Sequence, residues 1–279
     1  MKKVFALTLF LAIIVCASSM ALVQKCPELD YALSCLEKGN PFLERYNKIT
    51  GSEIEPLMEL GVPYFWGGRD INQLGHVRSP WQDSKYYKIG SYYMYGFDCA
   101  GFTQWVLKSA GRGKHPPISE MLSNTYLMKD KYLNFDDCSY QELEQHLKIG
   151  DLLAASYAGG RHVMMYIGTL RDFGYIKSTV PKALSPYLRW PLIMHSSSNA
   201  FYYAPYKKHI ENTYKITKVI PPDGGCMVSL LGVPVSEATS RAKRYDIDSY
   251  SYYFNLGGYA LTIYDMDNTL SHRWIRWEK

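Results

Sequence analysis

The sequence predicts an α+β fold in which a helix beginning at Cys99 packs on a largely antiparallel sheet. Two observations support this prediction. Helix signals dominate up to about residue 149 and strand patterns dominate afterwards, a segregation typical of α+β proteins rather than of alternating βαβ units. In addition, a glycine turn at Gly96 leads into Cys99 and an apolar helical run that Gly111 ends.

Composition and charge exclude some classes of function. The chain has 279 residues, 47% of them hydrophobic, which is ample for a sizeable core in one or two domains. The net charge is +5, and it falls to +3 without the two lysines of the N-terminal leader described next. So small a positive charge gives no indication of nucleic acid as a partner.

Residues 1–21 have the three parts of a secretory signal. A basic dipeptide precedes an apolar stretch that is too short to span a membrane, and Ser19-Met20-Ala21 is a plausible cleavage site. We therefore predict a secreted or cell-envelope protein with no membrane span after cleavage. An uncleaved anchor and a lipid anchor on Cys16 are alternatives, but Val15 stands where a lipoprotein signal has a small residue.

After cleavage an odd number of cysteines remains, and these are Cys26, Cys35, Cys99, Cys138 and Cys226. In an exported protein an odd count suggests a reactive thiol beside disulfides, and the motif around Cys99 singles it out. The other four allow three pairings, among which the sequence does not decide. Cys26–Cys35 with Cys138–Cys226 is one of them, and in an anaerobic host all could stay reduced.

The chain is predicted to consist of a signal peptide (1–21), an N-terminal helical segment (22–60) and a main domain on which that segment packs (61–279). In the helical segment Pro27 suits a first helical turn, and Ser52-x-x-Glu55 is a capping box. The third part carries two inserts, 69–95 and 170–190. We expect the polar and aromatic insert 69–95 to rim the site, with a surface insertion as the alternative.

Within the third part, helices are expected near Ser119 and after the capping box Ser139-x-x-Glu142. Gly159-Gly160 is typical of a hairpin turn that joins a strand at 152–155 to one at 161–167. Further strands are predicted at 192–196, 214–220, 226–233 and 251–255, followed by a final hairpin that pairs 259–264 with 271–277.

Cys99, His162 and His195 are the candidates for a nucleophile, its base and the group that orients the base, the three parts that a cysteine peptidase needs. The helix N-terminus should lower the pKa of the Cys99 thiol and favour the thiolate. The flanking glycines predict a backbone that approaches a substrate closely. His162 stands in the segment HVMMYIG, which follows GDLL. The remaining histidines stand in no such motif and are predicted to be packing or surface residues: His76, His115, His146, His209 and His272.

Four sequence blocks, in order, resemble the NlpC/P60 family of papain-like cysteine peptidases. They are PYFWGG (63–68), GFDCAGFTQW (96–105), GDLL (150–153) and HVMMYIG (162–168), and His195 follows them. The resemblance implies a papain-like fold and the hydrolysis of peptidoglycan stem peptides without a cofactor. It also implies the bond that is cut, the amide between D-γ-glutamate and the following diamino acid.

The resemblance further implies roles for individual residues. Cys99, His162 and His195 match the family's triad. The motif tyrosine matches Tyr64, whose hydroxyl would join the Cys99 backbone N–H in an oxyanion hole, and Trp66 of the same block is expected to contact substrate.

Asp98 has two possible roles. Either it faces the free amine of the stem peptide, as the resemblance implies, or it caps the helix. Relatives commonly have serine where this chain has Ala100, and that difference bears on recognition of the amine more than on catalysis.

Two other motif interpretations fit poorly. DMDNT (265–269) matches a pattern of aspartate-nucleophile phosphatases, but the chain ends too soon afterwards to supply the parallel sheet of such an enzyme, so a turn is expected. A zinc site at the three candidate residues lacks paired ligand spacing, so no metal is predicted. A non-catalytic cell-wall-binding protein, and another amidase or acyl-transfer chemistry on the same fold, stay open as alternatives.

Overall fold

The computed structural model describes residues 26–36, 48, 62, 64, 66–69, 75–76, 92–93, 96–123, 126–135, 138–180, 182–197, 225–231, 254–256, 259–264 and 269–278. Within them the helices are α1 (Pro27–Ser34), α2 (Cys99–Ser109), α3 (Ile118–Leu122) and α4 (Tyr140–His146), with 3-10 turns at Tyr126–Lys131 and Lys182–Tyr187. The strands are β1 (Gly75–His76), β2 (Tyr92–Tyr93), β3 (Tyr132–Leu133), β4 (Leu152–Tyr157), β5 (Gly160–Thr169), β6 (Pro191–Ser197), β7 (Gly225–Leu231), β8 (Phe254–Leu256), β9 (Tyr259–Tyr264) and β10 (Thr269–Ile275).

Eight of the described strands form one sheet in the order β3-β10-β4-β5-β6-β7-β9-β8. Neighbouring strands run antiparallel, except for the parallel pair β7 and β9. Helix α2 packs against β5 and β6 in the middle of this sheet. The prediction of an α+β fold with the nucleophile helix on a largely antiparallel sheet is confirmed.

The predicted final hairpin is wrong, because its two strands do not pair with each other. β9 pairs with β7 and β8, whereas β10 pairs with β3 and β4 on the other side of the sheet. In a flat sheet the five strand steps between them would span about 24 Å. Tyr264 and Thr269 are five residues apart, a distance of at most about 18 Å. The sheet must therefore curl, which brings the end of β9 back towards β4.

Helix α2 begins where the sequence predicted and buries one face. Phe102, Val106 and Leu107 on that face are at most 1% exposed. Val106 and Leu107 follow Phe102 by four and five residues, so all three lie towards the sheet, as expected for an amphipathic helix. Phe97, fully buried just before the helix, packs its ring 5.5 Å from that of Trp105. The apolar face thus fixes the position of the first turn, where Cys99 lies.

Helix α1 packs on α2 through a partly buried ion pair and through the ring of Tyr31, which meets that of Trp105 edge-on at 5.9 Å. Pro27 occupies the first turn of α1, as expected, and the carboxylate of Glu28 is bound by Arg112 just beyond α2. Glu28 also lies against Gly150, where an added Cβ would come within 3.2 Å of it and where φ is +97°. The predicted capping box Ser52-x-x-Glu55 lies outside the described residues.

The GDLL block has a structural role that involves Asp151. This carboxylate is 2% exposed, and Arg276 binds it with two hydrogen bonds of 2.9 and 2.8 Å. It also accepts the backbone N–H of Lys148. The segment after β10 is thereby fastened to the turn before β4. Before that turn, Ser139 and Glu142 form the expected capping box of α4.

The described cysteines do not form the pairing considered above, since all five are free thiols. Cys26 precedes α1 and Cys35 follows it, so the two lie at opposite ends of the same helix. At 1.5 Å per residue they are about 13 Å apart, whereas a disulfide needs Cα atoms within about 7 Å. Separately, none of the helices in the described part of the chain has the length and apolar character to cross a bilayer.

Candidate active site

Cys99 is the first residue of α2, and Asp98 caps the helix. One carboxylate oxygen of Asp98 accepts the backbone N–H of Gly101 at 2.6 Å, and the other accepts that of Gly67 at 3.1 Å. The capping alternative for Asp98 therefore describes its contacts. Its second bond joins the PYFWGG block to the nucleophile helix.

The backbone that closely approaches Gly101 is that of Gly68. A Cβ on Gly101 would lie 1.8 Å from the carbonyl oxygen of Gly68, and that same oxygen accepts the N–H of Asp98 at 3.2 Å. The expectation that Gly101 makes room for a substrate is therefore wrong. Gly101 makes room for the loop of the PYFWGG block (63–68), called the motif loop below. This loop holds Tyr64 and Trp66 beside Cys99.

His162 and His195 come from neighbouring strands and are directly bonded. His162 Nε2 lies 2.9 Å from His195 Nδ1, with the two rings nearly perpendicular. His195 Nε2 lies in turn 2.9 Å from the hydroxyl of Ser229 in β7. The bond between the two histidines occupies Nε2 of His162 and leaves its Nδ1 as the ring nitrogen available to Cys99. His195 and Ser229 are buried, at 1% and 0% exposed.

Tyr264 packs over the histidine pair, and Tyr157 binds its hydroxyl. The ring of Tyr264 lies parallel to that of His162, with centroids 5.6 Å apart, and meets His195 edge-on at 4.9 Å. The Tyr264 hydroxyl is 2.7 Å from that of Tyr157 at the end of β4. This contact is the direct result of the curled sheet, since β4 and β9 are not neighbours in it.

A cleft of about 1110 Å³ is lined by both Cys99 and His162. Its walls come from the motif loop, the start of α2, the start of α3, the β4–β5 hairpin and the ends of β6 and β9. The lining residues are Tyr64, Trp66, Arg69, Asp98, Cys99, Ala100, Gln104, Pro117, Ile118, Ser119, Ser156, Tyr157, Gly159, Gly160, Arg161, His162, Ser197 and Tyr264.

The structure thus brings most of the proposed site residues to one cavity. Tyr64 is 8% exposed, and its backbone forms an isolated parallel β-bridge with Phe97, just before α2. Trp66 is 57% exposed at the same cleft. His195 does not line the cleft and lies behind His162 instead. Of insert 69–95, Arg69 lines the cleft, and most of the rest lies outside the described residues.

Burial shifts the pKa values of Cys99 and His162 in opposite directions. Burial, followed by the negative charge of Asp98, raises the pKa of the Cys99 thiol to about 12, although the backbone N–H of Val163 works in the opposite direction. Burial lowers the pKa of His162 to about 4. The expectation of a lowered thiol pKa at the helix N-terminus is therefore wrong, because desolvation outweighs the helix dipole. The free site holds a neutral thiol and a neutral imidazole.

Sequence reasoning missed several residues of the site. Ser229 interrupts an otherwise apolar strand, and that single hydroxyl was the available signal. Tyr264 was expected only as the last residue of a strand in the final hairpin. Arg161 directly precedes the base and lies exposed at the cleft. Nothing local marks Tyr264, because its position depends on how the sheet closes.

Among the residues that the structure describes, no group of three or more His, Cys, Asp and Glu side chains is arranged to hold a metal ion. Cys99 and His162 line the cleft, whereas His195 lies outside its lining and binds Nε2 of His162, so the three side chains are not grouped around one point in it.

Comparison with known proteins yields one match. Residues 61–180 match the model of the NlpC/P60 family, which confirms the resemblance that the sequence blocks indicated. No curated protein and no solved structure matches the chain. Members of this family are generally cysteine peptidases, so the match indicates a function of the cell-wall peptidase type. The matched range includes Tyr64, Cys99 and His162 but ends before His195.

Proposed function

Because residues 61–180 of this chain belong to the NlpC/P60 family, we propose that the protein is an exported cysteine endopeptidase that hydrolyses peptidoglycan stem peptides. The proposed bond is the amide between D-γ-glutamate and the following diamino acid. The observation that carries the proposal is the shared cleft: Cys99 and His162 both line it, and His162 is bonded to His195 at 2.9 Å.

The reaction proceeds through an acyl-enzyme. As the sulfur of Cys99 attacks the γ-carbonyl carbon, Nδ1 of His162 takes the thiol proton, which suits a pair whose resting state is neutral. The tetrahedral intermediate collapses, and the imidazolium of His162 gives its proton to the departing amine. A water molecule then attacks the thioester and gives a proton to His162; the carbon–sulfur bond breaks, the sulfur of Cys99 takes that proton back, and the glutamyl product leaves as a carboxylic acid.

Two donors are proposed for the oxyanion. The backbone N–H of Cys99 lies in the first turn of α2, where N–H groups have no partner within the helix. The hydroxyl of Tyr64 is the second proposed donor, because the loop that carries it is bonded to the helix cap through Gly67. Both donors would bind the oxyanion more strongly than the neutral carbonyl, which is what accelerates the step.

The charges of the cleft support an anionic stem peptide. Asp98 uses both oxygens for backbone N–H groups, whereas Arg161 is exposed at the cleft and pairs with no carboxylate of the described residues. Glutamate that is linked through its γ-carboxyl keeps its α-carboxylate near the scissile amide. A guanidinium can bind such a carboxylate with charge-assisted hydrogen bonds. We assign that contact to Arg161.

The test is mass spectrometry of defined stem peptides after incubation with the wild type and with Cys99→Ala. We expect both fragments of a D-Glu–diamino acid cut with the wild type and none with Cys99→Ala. Cys138→Ala is the matched control, since it removes a partly buried thiol that does not line the cleft, and it should cleave normally. A second peptide with the glutamyl α-carboxylate converted to an amide should be cleaved more slowly.

Two results would overturn the proposal. Binding of the peptides without cleavage by any variant would make the protein a non-catalytic wall-binding protein. Release of a product in which the glutamyl group is joined to an amine instead of to water would assign it to acyl transfer.

A further inference from the structure

Ser229 stands at the far end of the histidine chain and has no assigned role. It lies in β7, fully buried, with its hydroxyl 2.9 Å from His195 Nε2. Ile193 is the cross-strand partner of Ser229, so the serine shares a sheet face with His195, two residues further along β6. Its neighbours along β7 on that face, Met227 and Leu231, are apolar. A hydroxyl among such residues is costly to bury unless it is bonded.

The direction of the hydrogen bonds follows from the task of His162. To take the thiol proton, Nδ1 of His162 must be unprotonated, so its proton sits on Nε2 and is donated to Nδ1 of His195. His195 then carries its own proton on Nε2. That proton points at Ser229, which must accept it. Each ring therefore has one defined tautomer.

The opposite direction would disable the site. If the Ser229 hydroxyl donated to Nε2 of His195, the proton of His195 would sit on Nδ1 and be donated to Nε2 of His162. His162 would then carry its proton on Nδ1, the nitrogen that must accept the thiol proton. A neutral imidazole in that tautomer cannot act as the base for Cys99.

We propose that Ser229 is a positioning residue: by accepting the Nε2 proton of His195 it fixes the tautomer of both histidines and keeps Nδ1 of His162 ready to act as a base. The inference rests on the proposed peptidase function. One proton moves, from the sulfur of Cys99 to Nδ1 of His162, and none crosses between the histidines. The imidazolium that results keeps its Nε2–H bond to His195, and that bond requires the acceptor at Ser229.

The groups that face the histidine pair leave this role to Ser229. Tyr264 stacks on His162 and meets His195 edge-on, and its hydroxyl is bonded to Tyr157. Cys99 lies on the cleft side, with Asp98 beside it, and Arg161 precedes His162 in the strand. The hydrogen-bond partner that the structure gives to Nε2 of His195 is the Ser229 hydroxyl.

The first experiment compares Ser229→Ala with Ser229→Thr, which keeps a hydroxyl, and with Val228→Ala, which removes packing from the same strand without touching His195. In Ser229→Ala we expect kcat for the stem peptide to fall about tenfold or more with KM unchanged, since a buried Nε2–H loses its acceptor. The acid limb of its pH profile should move to lower pH, because the imidazolium of His162 is less stabilised. Ser229→Thr should restore most of the rate.

The second experiment needs no substrate. In the wild type labelled with ¹⁵N-histidine, the chemical shifts should show His195 protonated on Nε2 and bare on Nδ1, with His195→Gln to identify the signals. Alkylation of Cys99 by iodoacetamide should be slower in Ser229→Ala than in Val228→Ala. These two measurements separate the inference from the proposed function, since both can succeed when no peptide is cleaved.

Three outcomes would overturn the inference. A proton on Nδ1 of His195 in the wild type would reverse the direction of the chain. An unchanged kcat and pH profile in Ser229→Ala would make the serine dispensable. Equal losses of activity in Ser229→Ala and Val228→Ala would reduce its role to packing.

Discussion

The front and the back of the cleft are built in different ways. The front consists of the motif loop, Asp98 and Cys99, and backbone hydrogen bonds through Gly67, Gly68 and Gly101 hold it together. The back consists of His162, His195, Ser229 and Tyr264, and buried side-chain contacts between strands hold it together. The front therefore depends on local backbone geometry, whereas the back depends on how the curled sheet closes.

The largest effect is expected at the front, from Gly101→Ala. Its Cβ would meet the Gly68 carbonyl at 1.8 Å, so either the loop or the helix must move. We expect a loss of about 3 kcal/mol or more in unfolding free energy, measured by urea denaturation, together with a loss of peptide cleavage. Gly159→Ala in the β4–β5 turn is the control, because nothing lies within 4 Å of its added Cβ. Equal unfolding free energies of the two variants would contradict the close packing of Gly101 against the Gly68 carbonyl.

The next effect concerns the back and depends on pH. Burial lowers the pKa of His162 to about 4, below the ordinary value of 6.5. Between these values the unfolded chain binds a proton that the folded chain does not, so stability falls as the pH drops from about 6.5 to about 4. The contribution of His162 is at most about 3 kcal/mol.

His162→Gln should therefore show a flatter fall in unfolding free energy across this range, measured by denaturation at several pH values. The control is Gln145→Ala at an exposed position of α4, which removes no titratable group and should keep the slope of the wild type. An identical slope in His162→Gln and the wild type would mean that the back of the cleft is open to water.

A third prediction concerns the closure between β4 and β9. Tyr157→Phe and Tyr264→Phe each remove one hydroxyl of the 2.7 Å contact and keep the rings in place. A double-mutant cycle on unfolding free energy should give a coupling of about 1 kcal/mol. Tyr264→Leu, which also removes the stacked ring, should lower kcat further than Tyr264→Phe. No coupling in the cycle would mean that the sheet does not close at this point.

The smallest effect is expected from Asp98→Asn at the front. Asparagine keeps an oxygen for the N–H of Gly101 and removes the charge that, after burial, raises the pKa of Cys99. The pH profile of Cys99 alkylation should therefore shift to lower pH while staying above that of a free thiol. Asp172→Asn, which lies away from the cleft and binds Thr169, should leave the profile unchanged. A shift to higher pH would contradict the assigned sign.

This comparison also explains how much could be predicted from the sequence. The helix at Cys99, the capping box at Ser139 and the strand that carries His162 depend on neighbouring residues, and all three are found where local patterns place them. The pairing of β9 and β10 depends on closure of the sheet, so proximity in sequence misled the prediction of a hairpin.

The thiol pKa and the role of Gly101 were wrong for a related reason. A sequence shows that Cys99 begins a helix, but the burial that raises its pKa comes from strands and from Asp98 placed around it by the fold. Ser229 and Tyr264 reach the histidines only through the sheet, so no spacing along the chain could indicate them.

The position of Tyr264 also has a consequence for the order in which the site is completed. Translation proceeds from the N-terminus, so Cys99 and His162 leave the ribosome long before β9, whose Tyr264 stacks on His162. Until that strand docks, His162 lacks its stacked ring, and the pair is open to water. A nascent chain would thus carry Cys99 and His162 without the aromatic wall behind them, and the candidate site would be complete only after β9 has docked.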